Sequence, residues 1–135
     1  MCVCPCGRQY IEHSCAAVAD RGWRAVVVNH RGMGGVPITS NAFYNAGWTE
    51  DLRFALLHIK LKHPRAPITA VGLSLGGNIL VKYLGEEGSE CPLQAACVVG
   101  CPWDLVQCDR WIGRASKQRL YSAAMATGLK DFARM

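Results

Sequence analysis

The fold is decided by the stretch Gly72-Leu73-Ser74-Leu75-Gly76, which matches the pattern G-x-S-x-G. An apolar run at 68–73 leads into this stretch, and a second apolar run at 78–84 follows it with the character of a helix. The pattern is meaningful where a buried strand turns sharply into a helix, because such a turn holds the serine hydroxyl exposed. The sequence therefore predicts a strand, a tight turn at Ser74 and a helix.

A serine on this kind of turn is suited to nucleophilic catalysis. Its hydroxyl becomes effective when a base can reach it and amide donors face the oxygen that turns negative during attack. Gly72 and Gly76 are small enough to let the strand and the helix approach, and Gly77 relieves further crowding. The backbone amide of Leu75, in the first turn of the helix, is the expected oxyanion donor. We predict that Ser74 is the nucleophile; the alternative is a glycine-rich turn that merely joins two elements.

Strands and helices alternate on both sides of this turn. We predict a helix at 10–20, a buried strand at 23–29, a helix at 49–62 with Thr49 as its N-cap, and a third strand at 93–100. The β-branched run at 23–29 lacks polar alternation, which is typical of a strand covered on both faces. This order of elements predicts an α/β fold with a short parallel sheet flanked by helices.

A second glycine cluster, at 32–35, offers a dinucleotide-binding alternative because it also follows a predicted strand. The third glycine of G-x-G-x-x-G would fall at Pro37, and no helix is predicted to begin there. Neither glycine cluster contains the lysine that a phosphate-binding Walker loop requires. The sequence therefore disfavours nucleotide binding.

Composition and charge argue against a nucleic-acid-binding, membrane-spanning or secreted protein. The chain has 135 residues, of which 50% are hydrophobic, so we expect one domain with a real core. Its net charge of +5 comes from 15 scattered Lys and Arg residues, unlike the clustered charge of a nucleic-acid-binding surface. No apolar run reaches the roughly 18 residues of a membrane span, and the first residues do not resemble a signal peptide. We expect a soluble, cytoplasmic protein that binds no nucleic acid.

The eight cysteines do not form a recognisable metal or redox motif. Cys2, Cys4 and Cys6 alternate along the first residues, a spacing that suits neither a zinc knuckle nor a thioredoxin-type pair. Cys97 lies in a predicted strand, where a free cysteine behaves as a small hydrophobic residue. We expect a disordered tail at 1–9, with lipid attachment to its cysteines as the alternative, and no metal or cofactor.

Three segments, at 21–32, 49–52 and 72–77, together resemble the YheT-like, embryogenesis-associated branch of the α/β-hydrolase superfamily. The resemblance covers about 10–104, most of the chain. It implies that the three predicted strands are the fourth, fifth and sixth of the hydrolase sheet. It also implies esterase, lipase or phospholipase activity on a small lipid or ester, in a branch whose longer members are membrane-anchored.

The departures from this branch concern the catalytic partners of Ser74. Relatives carry an oxyanion loop of the type His-Gly-x-x-Gly before the first helix, and residues 1–7 contain none. They place the catalytic aspartate and histidine on loops beyond the last residue here, so we expect a truncated form with little or no turnover. His30 is the only geometric candidate for a substitute base, since it ends the strand at 23–29 at the edge where Ser74 emerges. Its place in the pattern Asn-His-Arg-Gly instead favours a role in holding the glycine loop. Asp104 lies at the same edge but has no histidine to orient. The remaining histidines are expected to be structural or solvated: His13, His58 and His63.

The missing strands affect stability and organisation. In this branch the third strand separates the fourth from the fifth, so the strands at 23–29 and 68–73 would pair directly or leave buried backbone groups unsatisfied. We expect a tail at 1–9, a partial hydrolase core at 10–110 and a helical segment at 111–135.

Two functions remain open at this point. The first is a serine hydrolase that acts on carboxylic esters by acyl transfer through Ser74. The alternative is a non-catalytic fragment or splice form that binds lipid or a full-length relative. Such a form would associate, with itself or with other chains, through exposed sheet edges and apolar faces.

Overall fold

The structure is a computed structural model, and it describes residues 8–112, 114 and 116–133. The chain divides into two compact units, of which the first ends at Cys101 and the second begins at Pro102. Residues 1–7, with the three cysteines of the predicted tail, lie outside the described residues. The prediction that the tail extends to residue 9 was wrong, because Arg8 and Gln9 belong to the first helix. The expected division after residue 110 stays a prediction.

Apart from the strand expected at 23–29, the predicted elements are present in the predicted order. The first unit contains α1 (Arg8–Ala19), α2 (Glu50–Lys62), β1 (Thr69–Leu73), α3 (Leu75–Glu87), a 3₁₀ turn (Gly88–Glu90) and β2 (Ala95–Val99). The second unit contains α4 (Leu105–Ile112) and α5 (Ser116–Ala133). An α/β fold with a short parallel sheet is confirmed.

The sheet consists of two parallel strands. β1 and β2 pair in register from Thr69 opposite Ala95 to Leu73 opposite Val99, and α3 is the crossover between them. The helix packs against the sheet face that carries Gly72 and Val98. On the opposite face, Val71 and Val99 are 51% and 55% exposed. One face of a parallel sheet, a surface that is normally covered, is therefore open here.

The predicted strand at 23–29 was wrong. No strand is assigned to these residues, and Trp23, Val26 and Val27 are exposed rather than buried. A β-branched run forms a strand where a neighbouring strand can accept its backbone hydrogen bonds. Within the part of the chain that the structure describes, β1 pairs with β2 and with no other strand, so this run has no ladder to join.

The ends of α1 and α2 differ in how well the sequence predicts them. α1 ends at Ala19, and the turn after it closes as expected at Gly22, whose φ of 73° lies in the left-handed region. Trp23 N–H donates to Val18 O at 3.2 Å across this turn. Thr49 does precede α2, but its side chain makes no cap hydrogen bond. Its hydroxyl instead donates to Glu86 Oε2 at 2.6 Å and ties the start of α2 to α3.

The core of the first unit lies where α2 packs against α3. The fully buried apolar side chains there are Leu52, Leu56, Ile79, Leu80 and Tyr83. Burial of each such side chain contributes about 1.5–3 kcal/mol relative to exposure. This packing fixes α3 and therefore the turn from which the helix begins.

Candidate active site

Ser74 occupies the turn between β1 and α3. Its φ and ψ are 51° and −122°, and it is the one non-glycine residue with positive φ in the described part of the chain. The turn is held on both sides: Ser74 N–H donates to Val99 O at 2.9 Å, and Ser74 O accepts from Gly77 N at 2.9 Å. The residue is exposed. The Ser74 hydroxyl is thus exposed to solvent on a strained turn that backbone hydrogen bonds stabilise.

The strand and the helix meet here at backbone contact. A Cβ at Gly72 would lie 2.7 Å from Gly77 Cα and 2.8 Å from Gly76 O. A Cβ at Gly77 would lie 3.2 Å from Gly72 O. Glycine is therefore required at Gly72 and favoured at Gly77, because a side chain at Gly72 does not fit between β1 and the first turn of α3.

The first turn of α3 presents backbone amides next to Ser74. Leu75 is its first residue, and the first amides of a helix have no intrahelical acceptor. The turn also contains no acidic residue, so the partial positive charge of the helix end is not neutralised locally. Leu75 N–H, the expected oxyanion donor, thus lies at the positive end of the helix, directly after Ser74.

No described residue supplies a base to Ser74. Its hydroxyl has no hydrogen-bond partner within 8–112, 114 and 116–133. His30, the geometric candidate for a substitute base, is 1% exposed, and its ring lies 4.7 Å from that of Tyr44. Neither ring nitrogen of His30 is hydrogen-bonded to a described residue, and Nδ1 lies 3.9 Å from Asp51 Oδ2. Burial lowers the pKa of His30, and the Asp51 carboxylate offsets only part of this effect.

The remaining histidines and Asp104 also form no described contact with Ser74. Both ring nitrogens of His63 lie 2.9 Å from Arg24 Nη1, at the end of α2. His13 and His58 are exposed on helices. Asp104 belongs to the second unit, where its Oδ1 accepts from Gln107 N–H at 2.9 Å and caps α4.

A charged network beside His30 was missed by the sequence analysis. The Nε of Arg31 donates to both carboxylate oxygens of Asp51 at 3.0 and 3.1 Å, and Trp48 Nε1 donates to the same carboxylate at 3.2 Å. The guanidinium also lies over the Trp48 ring at 4.9 Å and donates to Ser40 Oγ at 2.7 Å. These hydrogen bonds lower the pKa of Asp51. The network fastens the glycine loop after residue 30 to the start of α2.

The described residues contain neither a metal-binding cluster nor a membrane-spanning helix. No group of three or more His, Cys, Asp and Glu side chains there could hold a metal ion. No helix in the same part of the chain is long and apolar enough to cross a membrane.

The strain at Ser74 leads to a first prediction. Ser74→Gly should be more stable than Ser74→Ala by about 1 kcal/mol, because glycine tolerates a positive φ that alanine does not. Both variants lack the hydroxyl, so the comparison isolates the backbone. Urea denaturation of the two proteins measures the difference. Equal stabilities would show that the turn is not strained in solution.

Comparison with known proteins assigns the chain to a family. The family model described as "Serine aminopeptidase, S33" (Hydrolase_4) matches residues 7–130. The chain therefore belongs to this family of α/β-hydrolases. No solved structure matches the chain.

Three curated relatives illustrate the similarity. Embryogenesis-associated protein EMB8 of Picea glauca is 38% identical over 90% of this chain and 27% of its own length. Phospholipase ABHD3 of Mus musculus is 34% identical over 90% of this chain and 30% of its own length. Putative esterase YheT of Escherichia coli is 40% identical over 68% of this chain and 27% of its own length. The chain thus spans about a third or less of the curated relatives that it matches.

Proposed function

We propose that Ser74 is the nucleophile of a serine hydrolase that acts on carboxylic esters of lipids. The observation that carries the proposal is the conformation of Ser74, with a φ of 51° on an exposed turn between β1 and α3. A strained residue of this kind persists where the surrounding structure enforces it, and such residues cluster at functional sites.

The chemistry follows from the same geometry. The Ser74 oxygen would attack the ester carbonyl while its proton passes to a base, and the alcohol would leave as an acyl-enzyme forms. Leu75 N–H would stabilise the oxyanion of the tetrahedral intermediate. Because no described histidine contacts Ser74, we expect little or no turnover from these 135 residues alone. Loss of a base from a triad lowers the rate by about 10⁴-fold or more.

The substrate class is supported by the names of the relatives. They include a phospholipase, a medium-chain fatty acid ethyl ester synthase/esterase and a monoacylglycerol lipase. All three names refer to esters of fatty acids. We extend that substrate class to this chain as part of the proposal.

The test is labelling with a fluorophosphonate probe, which reports a reactive serine without requiring turnover. We expect slow covalent labelling of the 135-residue chain that is lost in Ser74→Ala. Ser89→Ala is the matched control, since Ser89 is also exposed but lies in the 3₁₀ turn after α3. Labelling that survives in Ser74→Ala, or an unlabelled wild-type chain, would contradict the nucleophile role.

The open face of the sheet favours a second candidate, a non-catalytic binding role. Val71 and Val99 are exposed on the side of β1 and β2 that α3 does not cover. An exposed apolar sheet face of this kind is typical of an interaction surface. Absence of labelling together with concentration-dependent self-association in solution would favour this role over catalysis.

A further inference from the structure

The outward face of α2 carries an apolar stripe formed by Phe54, Leu57 and Leu61. These side chains are 65%, 55% and 74% exposed, and they lie opposite the buried Leu52 and Leu56. Their spacing of three and four residues aligns them along one side of the helix. The helix therefore has two apolar faces, one in the core and one directed to solvent.

The cations around the carboxyl-terminal half of this stripe are not neutralised. Lys60 and Lys62 lie on either side of Leu61, and Arg65 follows three residues after the end of the helix. Arg24 reaches the same end of α2, because its Nη1 contacts His63. None of these four cations forms an ion pair with a described residue.

The acidic groups of this unit are mostly engaged elsewhere. Glu86 pairs with Arg53 and Lys82, and Glu87 pairs with Arg53 at 2.7 Å. Glu87 and Glu90 both line the groove that also includes Leu57 and Lys60, and of these two carboxylates Glu90 forms no ion pair with a described residue. Four cations that form no ion pair, against one such carboxylate, Glu90, leave the end of the helix positive.

We propose that this face of α2, the stripe Phe54, Leu57 and Leu61 with its flanking cations, docks on an anionic lipid surface. A helix that lies in a membrane interface places apolar side chains among the acyl chains and basic side chains at the headgroups. Lys60 and Lys62 stand on the two sides of the stripe, where long side chains can bury their methylenes and hold their ammonium groups at the phosphates. The charge selects an anionic surface over a neutral one.

This binding does not depend on the nucleophile proposed above. It would bring the chain to a lipid surface whether or not Ser74 reacts. Ser74→Ala should therefore bind vesicles as the wild type does, so the two proposals can fail separately.

The test is co-sedimentation of the 135-residue chain with lipid vesicles. We expect binding to mixed phosphatidylcholine and phosphatidylglycerol vesicles, weaker binding to phosphatidylcholine alone, and a decrease with added salt. Leu57→Gln/Leu61→Gln should lower the partition coefficient about tenfold or more, because both side chains leave the acyl region. Leu105→Gln/Leu120→Gln is the matched control, since these leucines are 45% and 78% exposed in the second unit.

A second pair of variants tests the charge and avoids apolar substitutions. Lys60→Glu/Lys62→Glu should lower binding about tenfold or more, whereas Arg110→Glu/Lys130→Glu should change it much less. Circular dichroism confirms that each variant is folded. The proposal is overturned if wild type does not bind the anionic vesicles, or if both α2 variants bind like wild type. It is also overturned if the stripe variants change only the oligomeric state, because the face would then be a protein interface.

Discussion

Gly72→Ala is expected to lower the free energy of unfolding by about 3 kcal/mol, at the upper end of what overpacking costs. The added Cβ would lie 2.7 Å from Gly77 Cα and 2.8 Å from Gly76 O. Both are backbone atoms, so no side-chain rotation can relieve the clash. β1 and α3 would have to separate, and the turn that carries Ser74 would open with them.

Gly85→Ala is the control for this substitution. Gly85 lies within α3, and a Cβ there would meet no atom within 4 Å. Alanine in a helix interior is favoured over glycine, so this variant should raise the free energy of unfolding by about 1 kcal/mol. Chemical denaturation followed by circular dichroism measures both changes. If Gly72→Ala were as stable as wild type, the close approach of β1 and α3 would be absent in solution.

Asp51→Asn is expected to lower the free energy of unfolding by about 2 kcal/mol at neutral pH, since it leaves a partly buried cation without its partner. Asp51 accepts hydrogen bonds from Arg31 and Trp48, and its side chain is only 13% exposed. Glu50→Gln is the matched control on the same helix. Glu50 is 47% exposed and lies 3.7 Å from Arg53, so its loss should change stability by less than about 0.5 kcal/mol.

The pH dependence of this difference follows from the pKa of Asp51. Hydrogen bonds from Arg31 hold that pKa below its ordinary value of 3.8. A carboxyl whose pKa is lower in the folded state stabilises the fold above the unfolded pKa and loses this effect as the pH falls. The difference between wild type and Asp51→Asn should therefore shrink below about pH 4. A difference that is constant with pH would show that the charge of Asp51 contributes nothing.

The turn at Ser74 could be predicted because it depends on neighbours in the sequence. A buried strand, a G-x-S-x-G stretch and an apolar helix follow one another without interruption, and each favours the same local geometry. The segment at 23–29 has an equally strong β-branched pattern, yet it forms no strand. A strand is completed by a partner elsewhere in the chain, and composition does not reveal whether that partner is present.

The surroundings of His30 could not be predicted for the same reason: they depend on contacts between segments that are distant in the sequence. The sequence places His30, Arg31 and Asp51 in segments that resemble one family, but their pairing depends on how the glycine loop folds back onto α2. The position of His30 at the end of an expected strand suggested that it could face Ser74. Because that strand is not formed, the ring is instead buried against Tyr44 and Asp51.

The hydrogen bond from Ser74 N–H to Val99 O has a consequence for synthesis. Val99 ends β2, so the acceptor that fastens the turn is made well after the serine itself. While the chain is still emerging from the ribosome, the serine lacks this restraint, and its backbone is free to relax to an ordinary conformation. The restraint on the Ser74 backbone is therefore complete only when β2 docks beside β1.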